Sequence, residues 1–197
     1  MTRQAPPIVC RMKVATWAGD LARQLLEEPL PRRWAHTQGV ASRATSLRPI
    51  LGLDAELIVA AAWLHDIGYA PDLIDTGFHP LDGARYLRDV EGAGERLCQL
   101  VAHHTCARIE AGERGLADKL TAEFPAPDEC LVEALTYCDV TTSPDGEPLD
   151  VDARLAEIRA RYGPDHLVTR SIRAATPCLT ASVRNVEKAL ADAGTAG

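Results

Sequence analysis

The chain has no apolar run of the roughly 18 residues that a membrane-crossing helix needs, so nothing in it is expected to span a bilayer. The first residues, Met1 to Lys13, carry Arg3, Arg11 and Lys13 without a continuous apolar stretch, which excludes a conventional export signal and predicts a cytoplasmic chain. Lysine is scarce: Lys13, Lys119 and Lys188 are the whole set, so arginine supplies almost all the positive charge. With 21 basic against 28 acidic residues the net charge is -7, which argues against gripping a long nucleic acid. The six cysteines, Cys10, Cys98, Cys106, Cys130, Cys138 and Cys178, contain no Cys-x-x-Cys pair, so a zinc ribbon or redox dithiol is not expected. In a chain without an export signal they read as reduced, buried small hydrophobes. Strand signals are missing too, since nowhere do apolar and polar residues alternate between tight turns.

Helical signals fill the chain instead. At 197 residues and 46% apolar composition it is long enough for one domain with a sizeable core. Val14–Glu28 places Val14, Trp17, Leu21, Leu25 and Leu26 on one helical face. Arg32–Leu47 reads as the next helix, after Pro31. Asp54 is expected to cap an almost wholly apolar helix, Ala55–Ile67, stopped by Gly68 and Pro71 and therefore central to the fold. Further helices are expected from Pro80 to Val90, Glu95 to Thr105, Asp128 to Val140, Asp150 to Tyr162 and Pro177 to Ala193. A looser excursion with one helix is expected over Arg108–Phe124, a loop over Thr141–Pro148, and fraying after Gly194. The expectation is an all-α helical bundle in a single domain. It divides into a tail (1–13), a core (14–145) and C-terminal helices packed on that core (146–194).

Five of the six histidines lie between residues 36 and 104. His65 and Asp66 end the most apolar helix, where an uncompensated carboxylate would be costly to bury. Alone, the pair would read as an ordinary helix end. It is accompanied, however, by His36 in His-Thr-Gln-Gly-Val-Ala, by Leu-His-Asp-Ile-Gly-Tyr at 64–69, and by Asp139 near the end of another helix. In this order the residues resemble the HD-domain metal-dependent phosphohydrolase superfamily over roughly residues 30–145. His-Pro-Leu-Asp-Gly-Ala at 79–84 and His-His-Thr at 103–105 resemble its binuclear subgroup.

The resemblance implies two divalent transition metals, iron, manganese, zinc or nickel. One would be held by His36, His65, Asp66 and Asp139, the other by His79, His104 and His103, with Asp66 bridging. His65 and Asp66 are the catalytic pair it implies, and a metal-bound hydroxide is the implied nucleophile on a small phosphoester or nucleotide. Two dications against two aspartates leave the pocket cationic, which suits a phosphate. Arg43, Arg85, Arg88 and Arg108 are the candidate phosphate contacts by their placement after the histidines. Tyr69 stands where members with a lysine after the central glycine have a phosphate contact, which weakens transfer of any particular substrate. The ligand order also resembles bacterial diadenosine tetraphosphate hydrolases. A cyclic-di-GMP phosphodiesterase is disfavoured, because no Gly-Tyr-Pro follows the paired histidines. The alternatives are a mixed-valent di-iron oxygenase, which shares the ligand order, and a non-catalytic nucleotide-sensing module. His166 falls outside the pattern and reads as a surface or capping residue, and Cys106 as structural. Oligomeric state is left open.

Overall fold

The computed structural model describes residues 8–195. They form a helical bundle, and among them no strand occurs, only an isolated bridge between Thr142 and Pro148. The helices are α1 (Ile8–Leu26), α2 (Pro31–Ser46), α3 (Arg48–Leu51), α4 (Ala55–Leu64), α5 (His79–Asp89), α6 (Glu95–His103), α7 (Ala107–Glu113), α8 (Ala117–Glu123), α9 (Glu129–Val140), α10 (Val151–Tyr162) and α11 (Leu167–Thr195). Single 3-10 turns at Gly52–Asp54, Ile67–Tyr69, Pro71–Leu73 and His104–Cys106 link some of them. Residues 1–7 of the expected tail lie outside the described residues, as do 196 and 197 of the expected frayed end.

Helix α4 is the centre, as its uniform apolarity predicts. It packs against α1, α2, α6 and α9, and Ile58, Ala60, Ala61, Ala62 and Leu64 are wholly buried. Burying a side chain such as Ile58 or Leu64 contributes roughly 1.5–3 kcal/mol, so this helix has no solvent face on which to seat a charge cheaply. None of the described helices is long and apolar enough to cross a membrane.

Several local expectations are corrected. Asp54 makes no capping bond; its carboxylate takes Arg96 at 3.0 Å instead. Helix α4 ends at Leu64 rather than Ile67, and the chain tightens into the Ile67–Tyr69 turn. The polar 107–124 stretch forms two helices, α7 and α8, separated by Gly115 at φ 69°. The last helix begins ten residues before Pro177 and runs through it. A proline in a helix interior loses one backbone bond, but Ala175, Leu179, Val183 and Val186 bury an apolar stripe beside α9 and hold the helix on both sides. His166 does cap: its Nδ1 accepts the Val168 N–H at 3.2 Å.

The cysteine reading fails at one pair. Cys106 and Cys178 form a disulfide between the turn after α6 and helix α11, and Cys130 is exposed rather than buried. Pairing across 72 residues is a tertiary event that spacing does not announce. Cys98 and Cys138 are free and buried, as expected.

Two predictions follow from this packing. A Cβ placed on Gly68 would lie 2.1 Å from the His79 carbonyl oxygen and 2.7 Å from the Gly83 nitrogen, both backbone atoms. Gly68→Ala is therefore expected to destabilise the fold by about 2–3 kcal/mol, read from the urea unfolding midpoint. Non-reducing peptide mapping is expected to recover a Cys106–Cys178 linked pair. Cys178→Ser is expected to lower stability by about 2–4 kcal/mol.

Candidate metal centre

The site is built where five helices, α2, α4, α5, α6 and α9, meet. Helix α2 opens with Pro31 at its first position and buries Val40, Ala41 and Ala44, which turns Arg33 and His36, one turn apart, toward the end of α4. There His65 and Asp66 are 0% and 3% exposed. Helix α5 starts with His79, and α6 ends at His103, next to His104. Helix α9 ends just after Asp139.

Glycines let these elements meet. Gly68 brings the turn after Asp66 against the His79 backbone. Gly39 faces Gly146, where a Cβ would lie 2.2 Å from the Gly146 oxygen, so the loop after α9 lies directly on α2. The buried Asp82 carboxylate accepts the Thr76 N–H at 3.0 Å and the Gly77 N–H at 3.0 Å, fixing the loop that delivers His79.

Asp66 is the common member. Its Oδ2 lies 3.3 Å from His65 Nε2 and 4.0 Å from His36 Nε2. Its Oδ1 lies 3.3 Å from His79 Nε2 and 4.0 Å from His104 Nε2. Two triads that can each hold a metal ion thus share one carboxylate: His36, His65 and Asp66, and Asp66, His79 and His104. Asp139 sits beside the first, with Oδ1 3.0 Å from His36 Nε2 and Oδ2 accepting the Thr105 hydroxyl.

The imidazoles are oriented for ligation. His36 Nδ1 donates to the Ser143 carbonyl at 2.9 Å, His65 Nδ1 to Ala62 at 2.8 Å, and His104 Nδ1 to Val101 at 2.7 Å. A carbonyl accepts only, so Nδ1 carries the proton and each Nε2 lone pair faces the centre. His65 Nε2 is buried with no hydrogen-bond partner. His79 Nε2 and His104 Nε2 face each other at 3.2 Å. An orphaned lone pair and two opposed ring nitrogens are the pattern that a divalent cation satisfies, and carbonyl-anchored imidazoles are the usual outer support of such sites.

Electrostatics favour ionised carboxylates in the cluster. Burial would raise the Asp66 pKa, but Arg33, with Nη1 2.6 Å from Oδ2, holds it well below the usual carboxylate range. Burial also opposes ionisation of Asp139, yet its pKa lies below the usual carboxylate range, with His36 3.0 Å away and the Thr105 hydroxyl donating to it. Burial disfavours the His65 cation, yet Asp66 raises its pKa above the ordinary value. Burial pushes His79 down, and burial together with His65 pushes His104 down, so both keep a free lone pair at neutral pH.

Thr105 and Cys106 both have positive φ, 51° and 55°. Such backbone costs non-glycine residues about 1 kcal/mol or more each. It is held by the Thr105 N–H on the Thr136 hydroxyl at 3.2 Å and by the Thr105–Asp139 contact.

Of the seven expected ligands, six converge. The exception is His103, whose Nε2 donates to the Phe124 carbonyl at 2.7 Å, away from the cluster. A helix ending between two adjacent histidines sends them in different directions. The four expected phosphate contacts are also elsewhere. Arg43 donates to the Tyr137 hydroxyl at 3.2 Å, and Arg85 and Arg88 are taken up by Glu123 and by Asp75 or Asp89. Arg108 lines a cavity beside the disulfide. The cavity of about 100 Å³ over Asp66, His79, His104 and Asp139 is instead lined by Arg33, Arg154 and Arg161. Arg33 lies one turn before His36, a spacing that could have exposed it. Tyr69 stacks on His79 at 4.0 Å between ring centroids, with the Arg33 guanidinium 4.0 Å over its other face.

A family model described as HD domain matches residues 33–156, well over half of the chain. The protein belongs to the HD domain family. No curated protein and no solved structure gave a match. The match spans α2 to α10 and so includes every member of both triads as well as Asp139, Arg33 and Arg154.

His104→Ala is expected to reduce bound transition metal in the purified protein, whereas His103→Ala is expected to leave it unchanged. Elemental analysis of the two variants side by side checks the separation of the adjacent rings.

Proposed function

We propose that this HD domain protein is a metal-dependent phosphohydrolase that hydrolyses a small phosphoester or nucleotide, with two divalent transition metals bridged by Asp66. The shared carboxylate carries the reading, since each Asp66 oxygen faces a different pair of histidine Nε2 atoms. Imidazole mixed with carboxylate suits iron, manganese, zinc or nickel rather than calcium. His36, His65, Asp66 and Asp139 would hold one ion, and Asp66, His79 and His104 the other. When bound, such ions supply Lewis acidity toward a phosphoryl oxygen and bring the pKa of water toward neutrality.

The chain's own contribution is orientation and charge. Ser143, Ala62 and Val101 fix three ring tautomers, and Thr105 fixes Asp139. Arg33, Arg154 and Arg161 line the cavity above the cluster, so an anionic group entering it meets three guanidiniums. That lining supports a phosphate substrate over dioxygen, the substrate of the di-iron alternative. The retained donor set supports catalysis over sensing alone. The acidic chain is not proposed to bind long nucleic acid.

The test is to purify the protein without chelators, measure its metals, and screen phosphoesters and nucleotides with and without manganese. Asp66→Ala is expected to cut turnover by about 10³-fold or more. Because it strands the Arg33 guanidinium, it is also expected to cost stability. His79→Ala is expected to lower the metal content from two ions per chain to one. An unchanged metal count in either variant would refute the bridged pair.

A further inference from the structure

A second cavity adjoins the cluster. It measures about 330 Å³, against about 100 Å³ for the one over Asp66. Arg33 from α2 and Arg154 and Arg161 from α10 line both, so these guanidiniums form the junction between them. Beyond the junction the walls are Pro29, Leu30, Pro31, Pro144 and Arg32, whose exposed guanidinium is taken by Asp145 at 2.8 Å, and His36 lines this cavity too.

At the junction two guanidiniums share one carboxylate. Arg154 is 5% exposed, and its Nη1 donates to Glu157 Oε2 at 2.6 Å, while its Nε is buried with no hydrogen-bond partner. Arg161 Nε donates to Glu157 Oε1 at 2.9 Å. One carboxylate therefore answers two guanidiniums, and Asp66 already answers Arg33. A buried donor left unpaired costs about 1–3 kcal/mol, so the fold holds this guanidinium at the junction at a cost.

The outer walls impose a second condition. Three prolines and a leucine offer no side-chain donors and Arg32 is already paired with Asp145, so a polyol entering there would find little to replace its water. A flat ring loses little water, buries apolar area and stacks on guanidinium planes. The volume lies at the low end of the about 300–1,000 Å³ of small-molecule pockets, which fits one or two fused rings.

We infer that the outer cavity is a leaving-group subsite for a planar ring attached to phosphate, with Arg154 and Arg161 holding the anionic link at the junction. Glu157 is a positioning residue that keeps both guanidiniums there. Which end of the bound compound faces the cluster rests on the hydrolase reading above; the subsite itself does not. Aryl phosphates and mononucleotides share this chemistry.

The probes are non-hydrolysable: phenylphosphonate, methylphosphonate, and the phosphonate analogue of a mononucleotide, titrated calorimetrically into the metal-loaded protein. Phenylphosphonate is expected to bind about 10-fold or more tighter than methylphosphonate, equivalent to about 1.4 kcal/mol. A mononucleotide analogue that binds tighter still identifies a nucleobase as the ring, and one that binds weaker identifies a smaller aryl group. Leu30→Trp, which fills the outer cavity, is expected to erase the preference. Arg161→Ala, at a half-exposed position, is expected to weaken phenylphosphonate about 10-fold with the melting temperature retained. Arg154→Lys, which keeps the charge but loses the planar donor, is expected to weaken it about fivefold.

Equal binding of phenylphosphonate and methylphosphonate, or a preference that survives Leu30→Trp, overturns the subsite. Selective phenylphosphonate binding by a protein that hydrolyses no phosphate supports the subsite and removes the hydrolase reading. Hydrolysis of methyl and phenyl phosphate with equal KM removes the subsite and leaves the hydrolase standing.

Discussion

A carboxylate at the end of the most apolar helix is the constraint around which this protein is arranged. Asp66 is 3% exposed and follows a segment with no solvent face. Left unpaired, it would cost several kcal/mol. Arg33 supplies a direct counter-charge, and four imidazoles present nitrogens to its two oxygens. These five partners come from four places: Arg33 and His36 from α2, and the others from the end of α4, the start of α5 and the end of α6. Satisfying one buried charge therefore decides how those ends must sit.

The backbone around the cluster is organised for the same purpose. Close approaches at Gly68 and at Gly39–Gly146 admit neighbouring backbone where any side chain would collide. Successive left-handed residues, Thr105 and Cys106, turn the chain after α6 so that the Thr105 hydroxyl reaches Asp139. The disulfide from Cys106 to Cys178 then joins that turn to α11. Strain is tolerated where its product is a fixed ligand geometry, as is common at functional sites.

The positive charge near the cluster is not where residue spacing suggested. Arg85 and Arg88 follow His79 in sequence, yet both neutralise Glu123 on the far side of α5. The guanidiniums that face the cavity come from the first turn of α2 and from α10, which lies beyond the region where the family resemblance was first read. Membership in the HD domain family accounts for the ligand cluster. The arginine junction and its proline-walled annex depend on how α10 packs beside α2.

Local pattern was enough for the helical class and for the centrality of α4, because apolar periodicity is a property of neighbouring positions; six residues of the cluster came from the resemblance of short His/Asp motifs to the HD-domain superfamily. Local pattern also read His166 as a surface or capping residue, and the ring does cap α11. Direction was not legible: His103 and His104 are adjacent, but the helix ends between them and only one ring turns inward. Nor were pairings across long separations, such as Cys106 with Cys178, Arg154 and Arg161 over the cluster, or α11 continuing through Pro177. Those depend on which surfaces meet when the apolar stripes of α9, α10 and α11 are buried together. That packing is a free-energy balance over the whole chain, and no short stretch of residues encodes it.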